Sequence, residues 1–246
     1  KILIIRLSSI GDIVLTTPVL RCVKRQRPDI EIHYLVKPQF KDVLAENPYI
    51  DELHFYEDNR TALIQKFKKI SFDNIIDLHH NLRTWKLKKK LGVESVAFNK
   101  LNFQKWWYVR TKKDVLPEKH IVDRYLETVS ALNVENDHLG LEFYIHPENH
   151  IDLWKTFQTD VIAAVAIGAQ YKTKCAPAQK LSEIIRQIEI PVVLLGGKTD
   201  QATAQEIMTL CPDRVIFDKT GAWNIQQSAS LVEQAKVLLT HDTGLM

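Results

Sequence analysis

Four short polar stretches carry the residue types that chemistry needs, and each stands at the end of an apolar run. In the first, Arg6, Leu7, Ser8, Ser9, Ile10, Gly11 and Asp12 follow the run Ile2–Ile5 and precede a helix-like pattern. Strand, tight turn and helix open a parallel α/β unit, and the turn falls at the strand's carboxyl end, where such folds bind ligands. Asp12 is the one acidic group there. A carboxylate at that place can serve as a catalytic base, or it can simply cap the helix beside it. With one glycine, Gly11, the turn is not the three-glycine dinucleotide fingerprint. In the second stretch, Gly168, Ala169, Gln170, Tyr171, Lys172, Thr173 and Lys174 offer backbone N–H groups, a hydroxyl and two ammonium groups. Such a set suits a diphosphate. It lacks the Walker spacing, and a solvated loop with incidental lysines is the plainer reading. The third, His241, Asp242, Thr243 and Gly244, is either a turn or a holder of sugar hydroxyls and phosphate oxygens. The fourth gathers Asp77, His79, His80, Asn81 and Arg83. Its paired histidines have no matching Cys/His/carboxylate spacing for a metal, and recognition of a polar, acidic ligand fits them better.

These stretches need a scaffold, and the hydrophobic pattern supplies one. Strands are expected at 2–7, 31–36, 52–56, 73–78 and 95–98, with helices at 13–27, 38–46, 61–70 and 82–91. Pro18 fits only the first turns of its helix, and Pro28 ends it. This alternation argues for a doubly wound parallel sheet. From 99 to 119 the pattern breaks, and Trp106, Trp107 and Tyr108 stand among lysines and arginines. A helix at 120–132 and an extended segment at 139–145 follow. After Pro147 a second set begins, with strands at 161–167, 192–195, 215–217 and 237–240 and helices at 151–158, 181–188, 202–210 and 225–234. Two α/β domains are therefore expected, 1–150 and 151–246. The second stops on the loop after a buried strand, so it is expected to be truncated, with a C-terminal piece missing.

Composition narrows the class. The 246 residues are 45% hydrophobic and 26% charged, an ordinary globular balance. No apolar run approaches the ~20 residues that span a bilayer, and no leader is expected ahead of the first strand. Three widely spaced cysteines, Cys22, Cys175 and Cys211, fit neither a zinc site nor a disulfide framework, which points to a reducing cytoplasm. The net charge of +3 is unevenly spread, with a basic stripe from Lys66 through Lys86, Lys88, Lys89, Lys90 and Lys100 to Lys113. The stripe suits an anionic partner, and the aromatic cluster beside it suits either a lipid-proximal contact or packing on the domain. No RNA- or DNA-binding motif accompanies the basic residues.

The pieces KILIIRLSSIGDIVLTTP, IIDLHHNLRT, AIGAQYKTK and THDTGLM, in that order and spacing, resemble glycosyltransferase family 9, the ADP-heptose:lipopolysaccharide heptosyltransferases. The resemblance runs over the whole chain. It implies a GT-B fold, two Rossmann-like doubly wound domains facing a cleft, the first binding acceptor and the second nucleotide sugar. By motif it implies Asp12 as general base, Thr173 and Lys174 on the donor diphosphate, and Asp242, Thr243 and Gly244 as the loop for donor sugar and phosphate. Asn81 and Arg83, with Ser9 and Gly11 of the opening turn, fall on the acceptor side. Two departures stand out. The family's Lys-Arg-Trp-Pro reads Lys174, Cys175, Ala176, Pro177 here, and the histidine that follows the family's Thr-Gly-Leu-Met would fall beyond Met246.

The activity implied is an inverting transfer of heptose from ADP-heptose to Kdo or heptose of the lipopolysaccharide inner core. It needs no metal and no cofactor besides the donor substrate. The implied partners are the nucleotide sugar, an anionic glycolipid and, peripherally, the cytoplasmic face of the inner membrane, with no nucleic acid. The rival readings are a GT-B enzyme with another nucleotide sugar and a non-catalytic protein that binds anionic lipid.

Overall fold

Apolar runs of four or five residues without alternation are what a sheet covered on both faces requires. In the first half β1 (Ile2–Ile5) and β2 (Ile32–Val36) are buried throughout, and β3 (Glu52–Phe55), β4 (Asn74–Asp77) and β5 (Ser95–Ala97) flank them. They form one wholly parallel sheet in the order β3-β2-β1-β4-β5. The computed structural model describes residues 1–57, 59–113, 117–169 and 172–241. The chain divides into two units, Lys1–Phe143 and Tyr144–Met246.

Around the first sheet lie α1 (Ile10–Val14), α2 (Thr17–Gln26), α3 (Arg60–Ile70), α4 (Leu82–Leu91), α5 (Asn102–Thr111) and α6 (Ile121–Leu126). The single helix expected at 13–27 is two. Thr16 and Thr17 turn their hydroxyls back onto the carbonyls of Ile13 (2.7 Å) and Val14 (2.8 Å). Pro18 then starts α2, in the first turn where a missing N–H costs nothing. Residues 38–43 make a 3₁₀ turn, and 127–132 continue α6 as another. The segment at 139–145 pairs with no strand among the described residues. On one face of the sheet Leu3, Ile5, Leu35 and Ile75 pack with Phe67, Phe72 and Leu87.

The break expected at 99–119 contains a helix instead, α5. None of its described side chains is buried, and aromatic and basic residues surround it on all sides. Without an apolar stripe there is no 3.6-residue period to detect.

The second unit contains α7 (Leu153–Phe157), β6 (Ala163–Ala166), α8 (Ala178–Ile185), β7 (Val192–Leu195), α9 (Gln201–Leu210), β8 (Ile216–Asp218), α10 (Ile225–Gln234) and β9 (Val237–Thr240). Its parallel sheet runs β8-β7-β6-β9. The two-residue period of β6 sends Ala163 and Val165 to one core with α8 and α9, and Ala164 to another with Leu153, Phe157 and Leu231. Cys22 and Cys211 are buried and Cys175 is half-buried, all three as free thiols.

Each sheet reverses direction once. In the first, the chain builds outward from β1 through β2 to β3, then returns to the other side with β4. In the second it builds from β6 through β7 to β8, then returns with β9. The crevices beyond the carboxyl ends of β1 and β4, and of β6 and β9, are therefore the topological switch points where open α/β sheets hold ligands.

Candidate active site

The chain leaves β1 into the first crevice through Arg6, which is only 7% exposed although fully charged. A buried guanidinium must have its donors satisfied, and four contacts do this. Nε donates to the Ser8 carbonyl (2.9 Å), while Nη1 donates to the Leu78 carbonyl (2.5 Å) and the Tyr125 hydroxyl (2.9 Å). Nη2 meets Asp12 Oδ2 at 2.7 Å. Arg6 thus ties the turn after β1 to the end of β4 and to α6, and fixes Asp12 in place.

The same Oδ2 accepts the Ser9 N–H (3.2 Å) and the Ser9 hydroxyl (2.9 Å). Asp12 therefore does cap α1, but with one oxygen. Oδ1 has no hydrogen-bond partner among the described residues, and the side chain is 41% exposed. Burial alone raises the Asp12 carboxyl, but the Arg6 charge and the two Ser9 hydrogen bonds outweigh it and hold the group below the usual aspartate range. At neutral pH Asp12 is an ionised acceptor with one oxygen anchored and one available. A Cβ built on Gly11 meets nothing within 4 Å, so the glycine leaves this face bare without being required by packing.

At the end of β4, Asp77 is fully buried and structural. Its Oδ1 accepts the N–H groups of His79 (3.1 Å) and His80 (2.7 Å), and Lys88 lies 2.9 Å from Oδ2. The side chain of Asn81 caps α4, accepting the N–H groups of Arg83 (2.9 Å) and Thr84 (3.1 Å). Arg83 stands exposed in the first turn of α4. His79 is half-buried, and its Nδ1 has no partner among the described residues. Burial, reinforced by the Arg6 and Lys100 charges, lowers the His79 imidazole to about 4. Burial and then the Arg6 charge also lower Lys100. Arg6, His79 and Lys100 thus surround the carboxylate with groups suited to an anionic ligand.

In the second unit, β6 ends at a loop whose start brings Gly168 against the Asp200 carboxylate. A Cβ on Gly168 would lie 2.1 Å from Asp200 Oδ2, the oxygen that also accepts the Gly197 N–H at 2.7 Å. Gly221, at φ +66°, also passes close to Lys198, with a built Cβ 2.9 Å from its Cα. Residues 172–174 form one 3₁₀ turn with Thr173 and Lys174 exposed. The Cys175 thiol leans on the Ala169 carbonyl at 3.8 Å, and the Ala176 N–H donates to His241 Nε2 at 3.0 Å. That last bond joins the loops after β6 and β9 at their switch point. On the β7 side of β6, Ile167, Cys175, Ala176, Asp200, Thr203 and Glu206 line a cavity of about 330 Å³ between the loop after β6 and α9. Asp242, Thr243 and Gly244 lie outside the described residues.

The structure brings Ser9, Gly11, Asp12, Asn81 and Arg83 to the first crevice, and Thr173 and Lys174 to the second. Lys100, Tyr125 and Asp200 escaped the sequence reading as members of these sites, and Arg6 and His241 entered it only as parts of polar stretches, with no role of their own. One signal was available, an arginine placed directly after a fully apolar strand, where a charge has to find partners.

The solved family 9 glycosyltransferase from Veillonella parvula shares this fold, with a TM-score of 0.80 at 22% identity over 100% of this chain and 76% of that one. An E. coli heptosyltransferase solved with ADP superposes with a TM-score of 0.71 at 16% identity, over 99% of this chain and 82% of that one. In sequence, lipopolysaccharide heptosyltransferase 1 of Campylobacter coli is 27% identical over 141 residues, which are 54% of this chain and 41% of that protein. The chain therefore matches less than half the length of that relative. Residues 60–246, most of the chain, match the family profile itself, and the chain belongs to glycosyltransferase family 9 (heptosyltransferase).

Proposed function

We propose that this protein transfers heptose from ADP-heptose to a sugar hydroxyl of the lipopolysaccharide inner core, with inversion and without a metal ion. The observation that carries the reading is the asymmetry of Asp12. Arg6 and Ser9 hold Oδ2, which leaves Oδ1 to accept a proton. As the acceptor oxygen bonds to the anomeric carbon, the bond from that carbon to the diphosphate breaks on the opposite face. The hydroxyl proton passes to Oδ1, and the electron pair leaves with ADP. A base of this kind is worth roughly 10²–10⁴-fold. Arg6, Lys100 and Arg83 give the first crevice the charge an anionic core sugar calls for, and His79, neutral at pH 7, adds a hydrogen-bonding group. Lys174 and the N–H groups of the loop after β6 take the charge that develops on the leaving diphosphate, the part a metal ion plays elsewhere. The reaction requires both crevices to be brought to one donor–acceptor pair, as in a GT-B cleft. The exposed aromatics and basic residues of α5 suit contact with the anionic membrane surface that carries the acceptor, on its cytoplasmic face.

The test is ADP release by the full-length protein from ADP-heptose with defined Kdo–lipid A acceptors, set beside its Asp12→Ala variant. Turnover is expected for the parent protein only, with ADP binding retained in both. Equal turnover in the two rejects Asp12 as the base. No turnover on any heptose acceptor, together with turnover of another nucleotide sugar, replaces the donor assignment. Anionic-lipid binding with no turnover of any sugar nucleotide favours the non-catalytic reading.

A further inference from the structure

Away from the proposed chemistry, at the amino end of the first sheet, β2 and β3 bring two histidines and two glutamates together. The register pairs His33 with Glu52 and Leu35 with His54. The two-residue period then puts His33, Glu52 and His54 on one face of adjacent strands. Both imidazoles are buried and edge-on to phenylalanines, His33 against Phe72 and His54 against Phe67, each at 5.0 Å between ring centroids. Their planes are parallel within 5°, and His33 Nδ1 lies 2.8 Å from His54 Nε2. Glu52 is half-exposed and forms the solvent side of the group, with Oε2 at 3.4 Å from His33 Nδ1.

The protons can be assigned from the contacts. Lys66 Nζ sits 3.1 Å from His54 Nδ1, and an ammonium only donates, so that nitrogen accepts. His54 Nε2–H then donates to His33 Nδ1, and His33 Nε2–H donates to Glu31 Oε1 at 2.8 Å. Glu31 therefore fixes the tautomer of His33 so that its Nδ1 lone pair faces the cluster. A carboxylate behind the imidazole is the arrangement that orients metal-binding histidines. Moving one proton of His54 from Nε2 to Nδ1 frees a second lone pair beside the first, and Glu52 Oε1, 3.5 Å from Nδ1, lies near to receive it.

We propose that His33 Nδ1, His54 Nε2 and the Glu52 carboxylate form a site for a divalent first-row transition ion of the zinc type, with Glu31 orienting His33 and a fourth position open to water. Two imidazoles and a carboxylate are a suitable donor set for such an ion. Ligands at ~2.0–2.2 Å in a tetrahedron stand roughly 3.3–3.5 Å apart. The His33–Glu52 separation already has this value, and the two imidazole nitrogens reach it by parting about half an ångström. Lys66, which also pairs with Glu52 at 2.9 Å, opposes the metal directly, while Lys1, with Nζ 3.1 Å from Glu31 Oε1, competes with His33 for the orienting carboxylate. The ion would clamp the edge strand β3 to β2, a role separate from sugar transfer.

The experiment uses the full chain without a polyhistidine tag, freed of metal by a chelator and titrated with Zn²⁺ by calorimetry and with Co²⁺ by visible absorption. One equivalent is expected to bind, with the ligand-field bands of a low-coordinate cobalt site and a thermal midpoint that rises with metal concentration. Since replacing a buried histidine can unfold the chain, half-exposed positions carry the comparison. Glu31→Gln should weaken binding by about 10–100-fold, Glu52→Gln should weaken it by roughly tenfold or more, and Lys66→Met should tighten it. Absence of saturable one-to-one binding, or equal affinity in the parent chain, Glu52→Gln and Lys66→Met, overturns the site and leaves a hydrogen-bonded cluster alone.

Discussion

The two Asp12 oxygens have different neighbours, so the side chain that caps α1 through one of them is free to take the proposed role of base through the other. Asp12→Asn should keep the fold and ADP binding while lowering kcat by about 10²–10⁴-fold, as measured by ADP release under saturating donor. The pH dependence follows from the lowered carboxyl. A base must be ionised, so activity persists above its folded value and fails as pH falls through it, which places the acid limb of kcat/KM below the ordinary aspartate value near 3.9. In Arg6→Gln the burial of Asp12 remains while the opposing charge is gone, so that limb should move up. The two glycine turns differ in what they demand. Gly168→Ala drives a Cβ into Asp200 and should cost ~1–3 kcal/mol in urea unfolding. Gly11→Ala meets open space, so the melting temperature should hold while KM for the acceptor rises. Asp12 was legible in the sequence because strand, turn and helix place it at a carboxyl edge. Its restraint was not, since the arginine that pins it also needs Leu78 and Tyr125, which lie far along the chain.

At the scale of elements, legibility followed the caps and the period. Helix α4 has the expected bounds because Asn81 opens it and Gly92, at φ +68°, closes it. Helix α10 likewise starts at Asn224, whose side chain accepts the Gln227 N–H at 2.8 Å. The helix α5 has no comparable signal. Its N-cap is Leu101, without a side-chain hydrogen bond, and its exposed residues include Phe103 at 69% and Trp106 at 53%. The Arg110 guanidinium stacks over Trp106 at 5.6 Å, so charge and aromatic surface are presented together. Replacing Phe103 and Trp106 by alanine should leave thermal stability within about 0.5 kcal/mol, because both are exposed and their ring contacts stay within α5. The same pair of changes should weaken binding to anionic vesicles at least about tenfold in a sedimentation assay, with little change for neutral vesicles.

Over the whole molecule, two sheets of the same parallel design place their loops at one switch point each. The alternation of the sequence was enough to reveal this design, because the central strands β1, β6 and β7 are fully buried apolar runs. It did not reveal what closes the first unit. Arg21 is fully buried on α2, with Nε and Nη2 each 2.7 Å from the Asp137 carboxylate, Nη2 2.9 Å from the Gly140 carbonyl, and Nη1 3.0 Å from Glu142. Removing one partner from such a group is expensive, and Arg21→Met should cost roughly 3–5 kcal/mol in urea unfolding. The hydrogen bond from Arg21 holds Asp137 far below its ordinary value despite burial. Its contribution is therefore complete above the unfolded value near 3.9 and is lost as pH falls toward the folded one. Stability of the parent chain should accordingly drop more steeply below about pH 4 than that of Arg21→Met.

This arrangement also limits where the polypeptide can be cut. A fragment that keeps all five strands of the first sheet but stops before Asp137 would retain the buried guanidinium and lose every group that neutralises it. A fragment extended through Glu142 keeps the full set. An independently expressed first unit is therefore defined at its far border by the counter-ions of one arginine on its second helix, more than by the last strand or helix it contains.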